Sequence, residues 1–282
     1  MTKRPRAAAA VLCALLATAA PAGEAAARPP DGQAAGSASA GPPAAVAPPG
    51  GPADTVERAM VTDRPDFTES AVAVRRPQLE GGYTFDRSDG IGTHTLGEAL
   101  LRIPAAASLE LRAGLSSYRW TASDEGEEGF TDASVGAKLE LVHGDGGAVP
   151  TVALLGAASL PVGAVGQAGV QPEGRAALAW SISDRVGLGA NLGAAWRDDD
   201  RGRFTELVGS LALGVDAGGV IGLFVETYGV EPTGGGRSGA SYVDGGLTLG
   251  LGPDLQLDAR LGTGLGESAG DVVGGVGVSV RR

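Results

Sequence analysis

Residues 255–265 read LQLDARLGTGL, and this stretch decides the fold class. Leucine or alanine occupies positions 255, 257, 259, 261 and 265, whereas polar residues or glycine occupy the even positions between them. Successive side chains of a β-strand point to opposite faces, so the pattern predicts a strand with one apolar and one polar face. The same alternation recurs at 109–116 and 186–193, and twelve such segments follow one another from residue 78 onward.

The lengths of the segments and of their connections indicate where such strands lie. Each segment has about nine to thirteen residues, and a tilted strand needs about 9–11 to cross a bilayer. A soluble β-sandwich would alternate in the same way, but here tight links such as 183–184 generally alternate with longer polar links such as 121–131, 161–173 and 197–202. Outer-membrane barrels have an even strand number, short periplasmic turns and longer outer loops. The sequence therefore predicts an all-β, transmembrane antiparallel outer-membrane β-barrel of about 12 strands over residues 78–282, with both termini periplasmic.

Aromatic residues provide a separate indication, because a membrane barrel carries aromatic girdles at the bilayer interfaces. In the predicted topology, nine of the 12 aromatic residues fall at strand ends on the outer side: Tyr83, Phe85, Tyr118, Trp120, Phe130, Trp196, Phe204, Tyr228 and Tyr242. A soluble sandwich would place most of them mid-strand in its core. This distribution favours the membrane barrel.

Residues 1–61 have a different composition. Lys3, Arg4 and Arg6 precede an apolar run at 7–20 and a small-x-small site at 20–22, which predicts a signal peptide over residues 1–22. The run meets Pro21 too early for a membrane-spanning helix. Residues 23–61 are rich in Ala, Pro and Gly, which predicts a flexible periplasmic linker.

Charge and cysteine content exclude several classes of function. The chain has 22 basic and 33 acidic residues, a formal net charge of -11, and its basic residues do not cluster beyond the N-terminus, so we expect no nucleic-acid partner. Cys13, the single cysteine, lies in the predicted signal peptide, which leaves the mature chain without a disulfide.

Several stretches resemble one known family. They are TDRPDFTES at 62–70, QLEGGY at 78–83, HTLGE at 94–98 and LELR at 109–112. These residues are similar to the outer-membrane transporter family named for the MetA pathway of phenol degradation. The resemblance implies a porin-like transporter for small solutes, including aromatic compounds, and it carries over no binding residues.

Two patterns in the sequence resemble a catalytic site and a metal site, but neither is complete. His94 and Glu98 are spaced like part of an outer-membrane hydrolase site, but the sequence has no G-x-S-x-G motif. The acidic runs at 124–128 and 198–200 match no Ca²⁺-binding loop and are typical of solvated loop charge. We therefore expect no enzyme activity, no metal and no cofactor.

Charged residues on the polar strand faces are the predicted lumen-lining residues. They are Glu98, Arg102, Glu110, Arg112, Lys138, Glu140, Asp258 and Arg260, with Glu80, Arg175, Glu206 and Glu226 on the same faces. Barrels of about 8 strands are filled by side chains and those of about 16 hold open channels. Twelve strands leave two functions open: a passive channel for small solutes, which the small lumen residues favour, and a closed structural or adhesive barrel. Outer-membrane lipid, lipopolysaccharide, the barrel assembly machinery and a small-molecule solute are the expected partners.

The segment before the first strand, residues 62–77, is the last candidate. Asp63, Arg64, Asp66 and Glu69 give it a high density of alternating charge, which predicts ion pairs inside a lumen that holds both Arg112 and Glu110. Its role stays open, and one candidate is a plug that folds back into the lumen. The alternative is a periplasmic extension that assembly factors recognise.

Overall fold

The computed structural model describes residues 60–282 except 124, 125, 168 and 235. The predicted signal peptide and all but the last two residues of the predicted linker lie outside this part of the chain. Fourteen β-strands are found within it: β1 Gln78–Ser88, β2 Ile91–Ala106, β3 Leu109–Leu115, β4 Tyr118–Thr121, β5 Glu128–Phe130, β6 Ala133–Val142, β7 Thr151–Leu160, β8 Gln171–Ser183, β9 Val186–Asp199, β10 Gly202–Gly218, β11 Ile221–Thr233, β12 Ala240–Gly250, β13 Leu255–Gly264 and β14 Val272–Arg281. Among these residues, no helix is long and apolar enough to cross a membrane.

All strand pairings are antiparallel and the sheet closes on itself. Strands β6 to β14 pair in sequence order, β14 pairs with β1, and β1 pairs with β2. Strands β3 and β4 both pair with β2. On their other edge, β3 pairs with β6 and β4 pairs with β5. Thus β3–β4 and β5–β6 are two wall strands interrupted at 116–117 and 131–132, and the barrel wall has twelve strands. The predicted barrel of about 12 strands is confirmed.

The two faces of the wall are inverted relative to a water-soluble protein. Large apolar side chains are exposed on the outer face, among them Leu79, Leu111, Leu192, Leu261 and Val276. Charged side chains are buried on the inner face, and Glu80, Arg102, Glu110 and Lys138 are fully inaccessible. This arrangement suits a wall that faces lipid outside and polar groups inside.

The two ends of the barrel differ. The proximal end, where β1 begins and β14 ends, has short turns at 107–108, 184–185 and 219–220, with the longer link 143–150 as an exception. The distal end has the longer connections 161–170 and 265–271. We expected a longer loop over 197–202 as well, but β9 and β10 extend into a tight hairpin there, in which Arg203 and Asp198 form an ion pair at the surface.

A bulge in β2 changes which residues share a face. The pairing of β1 with β2 shifts by one residue at Gly97, whose φ of 81° is accessible mainly to glycine. His94 therefore stacks between Tyr83 and Trp120 on the outer face, while Glu98 accepts a hydrogen bond from Thr84 and lies near Arg64 in the lumen. The two residues that resembled a hydrolase pair lie on opposite sides of the wall.

Candidate functional site in the barrel lumen

The chain before β1 lies inside the barrel. We call residues 62–74 the lumen segment. Every side chain from Val61 to Ala71 is buried. Its polar, charged or aromatic contacts reach most of the wall strands, through Glu80, Arg102, Arg112, Lys138, Arg175, Asn191, Ser210, Glu226, Asp258 and the Val276 carbonyl. Ala71 packs on β7 and β8 through Ala153 and Ala177.

Asp63 lies within a cluster of three cations. Its carboxylate is 3.1 Å from Lys138 Nζ and 3.4 Å from Arg102 Nε, and it also accepts a hydrogen bond from Arg112. Burial raises the pKa of Asp63, but Arg102, Lys138 and Arg112 outweigh that effect and hold the pKa below its usual range. Asp63 is therefore a buried anion with full compensation.

The same cations bind carboxylates of the wall. Arg102 donates to Glu110 Oε1 and to Glu80 Oε1, both at 2.8 Å, and Arg112 Nη2 lies 2.8 Å from Glu69 Oε2. Backbone groups complete the cluster: Asp63 N donates to Glu80 and Val74 N donates to Glu110. Five residues of the wall (Glu80, Arg102, Glu110, Arg112 and Lys138) and two from the lumen segment (Asp63 and Glu69) thus form one network, which we call the basic cluster.

Glu140 lies nearer the proximal end. It accepts a hydrogen bond from Ala73 N at 3.0 Å, its Oε1 is 2.8 Å from His143 Nδ1, and Arg75 lies within 3.8 Å. These contacts attach the C-terminal end of the lumen segment to the wall.

Asp66 lies opposite the basic cluster, toward β11, β12 and β13. Glu226 and Asp244 are direct cross-strand partners there, and Arg260 donates to Asp244 at 3.2 Å. Within the part of the chain that the structure describes, neither oxygen of Asp66 has a hydrogen-bond partner. Burial raises the pKa of Asp66 well above its ordinary value, and the Glu226 and Asp244 carboxylates raise it further. We call Asp66, Glu226, Asp244 and Arg260 the acidic cluster.

Aromatic rings lie beside the acidic cluster. The Phe67 ring stacks on Tyr228 with centroids 4.5 Å apart and an interplanar angle of 9°, and Tyr228 stacks on Tyr242 at 5.0 Å. The Arg175 guanidinium carbon lies 5.2 Å from the centroid of Phe67. Glu226 accepts hydrogen bonds from Phe67 N and from the Thr68 hydroxyl. Tyr228 and Tyr242, which we expected in the outer girdle, therefore face the lumen.

Arg64 extends toward the strands where the barrel closes. Its Nη1 lies 3.5 Å from Glu98 Oε2, and its Nη2 lies 3.4 Å from Asp258 Oδ1 and donates to the Val276 carbonyl at 3.2 Å. Both carboxylates were predicted lumen-lining residues, and they lie on either side of the guanidinium.

A second chain of charges continues toward the distal end. Arg197 contacts Glu173 at 3.1 Å and Glu206 at 3.3 Å, and Arg175 lies 3.5 Å from Glu173. Sequence reasoning missed Glu173, Arg197, Asp244 and Asn191. Glu173 lies two positions from Arg175 on β8, so counting in steps of two along that strand was the available signal. The other three lie on β9 and β12, where no charged lumen residue was named.

Metal ligands do not gather in this lumen: within the described residues, no three His, Cys, Asp or Glu side chains are placed to hold a metal ion. The chemistry available is that of ion pairs, hydrogen bonds and ring stacking.

Comparison with known proteins gives the family. The profile of the family described as "Putative MetA-pathway of phenol degradation" matches residues 62–281, which span both the lumen segment and the barrel. The chain belongs to this family. A search of curated protein sequences finds no match.

Solved structures with the same fold are outer-membrane barrels. The COG4313 outer membrane channel from Pseudomonas putida F1 superposes with a TM-score of 0.60 at 12% identity, covering 78% of this chain and 100% of that one. The NanC porin superposes with a TM-score of 0.53 at 11% identity, covering 73% of this chain and 100% of the porin. At these identities the similarity establishes the fold.

Proposed function

We propose that the protein is an outer-membrane channel for passive passage of small solutes and that the lumen segment is its plug. The observation that carries the proposal is the arrangement of the barrel. Its twelve wall strands have an apolar outer face and a charged inner face, and the lumen segment, which precedes the first strand, occupies the interior. A lumen lined by charge supports the passage of hydrated solutes once the segment moves.

We include aromatic compounds among the proposed solutes of the channel for two reasons. The family description refers to phenol degradation. In addition, Tyr228 and Tyr242 present ring faces to the lumen, and Phe67 of the plug already occupies one of them. The proposal contains no catalytic step, no metal and no cofactor.

A closed structural barrel is the second candidate, and one observation favours it. The basic cluster connects β1, β2, β3 and β6 through buried ion pairs at 2.8–3.4 Å, which could hold the lumen shut permanently. The two candidates differ in whether the plug leaves, so they can be separated by removing it.

Orientation follows from the lengths of the connections. Short turns face the periplasm in outer-membrane barrels, so we place the proximal end and both termini there, with residues 1–22 as a cleaved export signal and 23–61 as a periplasmic linker. The distal loops then face outward near lipopolysaccharide. Insertion of such a barrel requires the barrel assembly machinery, and a segment read by that machinery is the alternative role for residues 62–77.

Deletion of residues 62–70 tests the channel and the plug together. We expect single-channel conductance in a planar bilayer to rise, with an unchanged yield of folded barrel measured by faster gel migration before boiling than after it. The matched control deletes 265–270, a distal loop of similar length outside the plug, and should leave conductance unchanged. Normal folding without any conductance would instead support the closed structural barrel, whereas loss of folded barrel would support the assembly role.

Cysteine labelling on intact cells tests the orientation. In a Cys13→Ser background, Ser123→Cys in a distal loop should react with a membrane-impermeant maleimide, and Ala217→Cys near the proximal end should not. The reverse pattern would place the proximal end outside.

A further inference from the structure

One row of residues across the closing strands of the barrel forms a hollow. Asp258 of β13 pairs with Gly277 of β14, Gly277 pairs with Gly82 of β1, and Gly82 pairs with Glu98 of β2. Directly paired residues of antiparallel strands share a face, so this row places a carboxylate at each end and two glycines between them on the lumen side. The row spans four strands and brings together residues far apart in the sequence.

The hollow has the shape of the group that occupies it. A Cβ atom at Gly82 would lie 2.5 Å from Arg64 Nη2, and one at Gly277 would overlap the same guanidinium. Any side chain at either position would therefore displace Arg64. The absence of both side chains lets a flat group lie against the wall between the Glu98 and Asp258 carboxylates, with the Val276 carbonyl as a third acceptor.

Charge and hydrogen-bonding capacity select a guanidinium. The arginine side chain is planar and presents donors in a fork that matches carboxylates, whereas an ammonium is compact and strongly hydrated. The slot is deep, since Asp258 is 4% exposed and Arg64 1%. Among the residues that the structure describes, Asp258 Oδ2 is buried without a hydrogen-bond partner, and so are Arg64 Nε and Nη1. Arg64 therefore holds each carboxylate through one contact, at 3.5 Å and 3.4 Å, and leaves acceptor capacity in the slot unused.

We propose that Gly82, Gly277, Glu98, Asp258 and the Val276 carbonyl form a guanidinium-binding site of the lumen wall. Arg64 is its tethered occupant, and a solute that carries a guanidinium group competes with Arg64 and releases the plug. The release step rests on the proposed channel function, but the binding site does not. A tethered group competes at an effective concentration of about millimolar, so free ligand must reach at least that range to displace Arg64.

Chemical complementation tests the site. The full chain is purified in detergent as wild type and as Arg64→Ala, and ethylguanidinium and ethylammonium chloride are titrated by calorimetry at equal ionic strength. We expect Arg64→Ala to bind ethylguanidinium at least about fivefold more tightly than ethylammonium, because only the planar fork matches both carboxylates. Wild type should show weaker binding than Arg64→Ala, since Arg64 fills the slot.

Two further variants separate the slot from general attraction to a negative lumen. Gly277→Val in the Arg64→Ala background should abolish ethylguanidinium binding, and Asp258→Asn provides the same test if Gly277→Val does not fold. Arg75→Ala, which removes a partly exposed cation outside the slot, should behave as wild type. Equal binding of the two cations by Arg64→Ala, no binding at all, or binding unaffected by either slot variant would overturn the site.

Release of the plug is measured separately, by the rate at which Ser70→Cys in a Cys13→Ser background reacts with a soluble maleimide. Ser70 is 7% exposed in the inserted plug, so labelling reports release. Ethylguanidinium at tens of millimolar should speed labelling about twofold or more relative to ethylammonium, given a competitor above the effective concentration of Arg64. Binding without faster labelling would overturn the release step. A chain that binds ethylguanidinium yet never conducts would instead count against the channel.

Discussion

Asp63 and Asp66 lie three positions apart in the lumen segment and are equally buried, yet their surroundings are opposite. Asp63 has three cations within contact distance, whereas Asp66 faces Glu226 and Asp244 with Arg260 as the nearby cation. A buried charge is costly unless it is paired. The lumen segment is fastened by ion pairs on the side of β2, β3 and β6. On the side of β11, β12 and β13 it is held by hydrogen bonds and ring stacking, and its hold there is conditional on the protonation of Asp66.

The largest effect on labelling is expected when the ion pairs of Asp63 are removed. Asp63→Ala leaves Arg102, Arg112 and Lys138 around an empty position, and removing one partner of a buried ion pair costs about 3–5 kcal/mol. The rate of Ser70→Cys labelling should therefore rise more than in any other single variant. Equal labelling rates for Asp63→Ala and the parent chain would show that the basic cluster does not hold the plug.

The conditional side should respond to pH. The inserted plug raises the pKa of Asp66, so insertion is favoured while Asp66 is protonated and is lost as the pH rises through that raised pKa. Labelling of Ser70→Cys, corrected for maleimide reactivity on a free peptide, should increase as the pH rises from the ordinary carboxyl range through the raised pKa, about tenfold for each pH unit in between.

Asp66→Asn is the matched variant, because it keeps the shape and removes the charge. It should flatten this pH profile and leave the plug inserted at high pH. A profile that persists in Asp66→Asn would assign the titration to another group, such as Glu226 or Asp244. Asp63 titrates in the opposite sense and only under strongly acidic conditions, so it does not contribute in this range.

A smaller effect is expected at the ring stack. Phe67→Leu keeps an apolar side chain against Val208 but removes stacking on Tyr228, which is worth about 0.5–1.5 kcal/mol. Labelling should rise by roughly two- to tenfold. Phe130→Leu, at the outer surface, changes an aromatic residue without touching the plug and should not alter labelling.

The smallest effect is expected at an ion pair outside the lumen. Arg203 and Asp198 contact each other at 2.9 Å in the distal hairpin, but the Arg203 side chain is 55% exposed. Water screens such pairs, so Asp198→Asn should change neither plug labelling nor the temperature at which the barrel loses its fast-migrating form. A large change in either measurement would show that distal loops control the plug.

The alternation of side chains was sufficient to predict the barrel, because a period of two depends only on local backbone geometry. Pairings across the lumen were not predictable, since they depend on how strands are staggered around the whole barrel. The bulge at Gly97 shows the limit: counting in steps of two places His94 and Glu98 together, whereas one inserted residue separates them. The strand interruptions at 116–117 and 131–132 were likewise not visible in the alternation.

The lumen segment illustrates what sequence can and cannot predict about a site. Its dense alternating charge predicted ion pairs in a lumen that holds both Arg112 and Glu110. Asp63 and Glu69 contact Arg112, and Arg64 lies near two carboxylates of the wall. The Asp66 carboxylate has no hydrogen-bond partner among the described residues, so that expectation does not extend to it. The aromatic residues beside the lumen segment, Tyr228 on β11 and Tyr242 on β12, were not predictable from charge, because the sequence alone is equally consistent with girdle positions for both. Their positions two residues from Glu226 and Asp244 were the unused signal.

The hollow that receives Arg64 lies across the seam where the first and last wall strands meet. Gly82 comes from β1 and Gly277 from β14, so the hollow exists only after synthesis of the whole chain and pairing of these two strands. Docking of Arg64 is therefore a late event, which follows closure instead of guiding it. An unclosed barrel leaves Arg64 without its pocket and the lumen segment unanchored at this seam. The inserted segment thus marks a barrel that has finished folding.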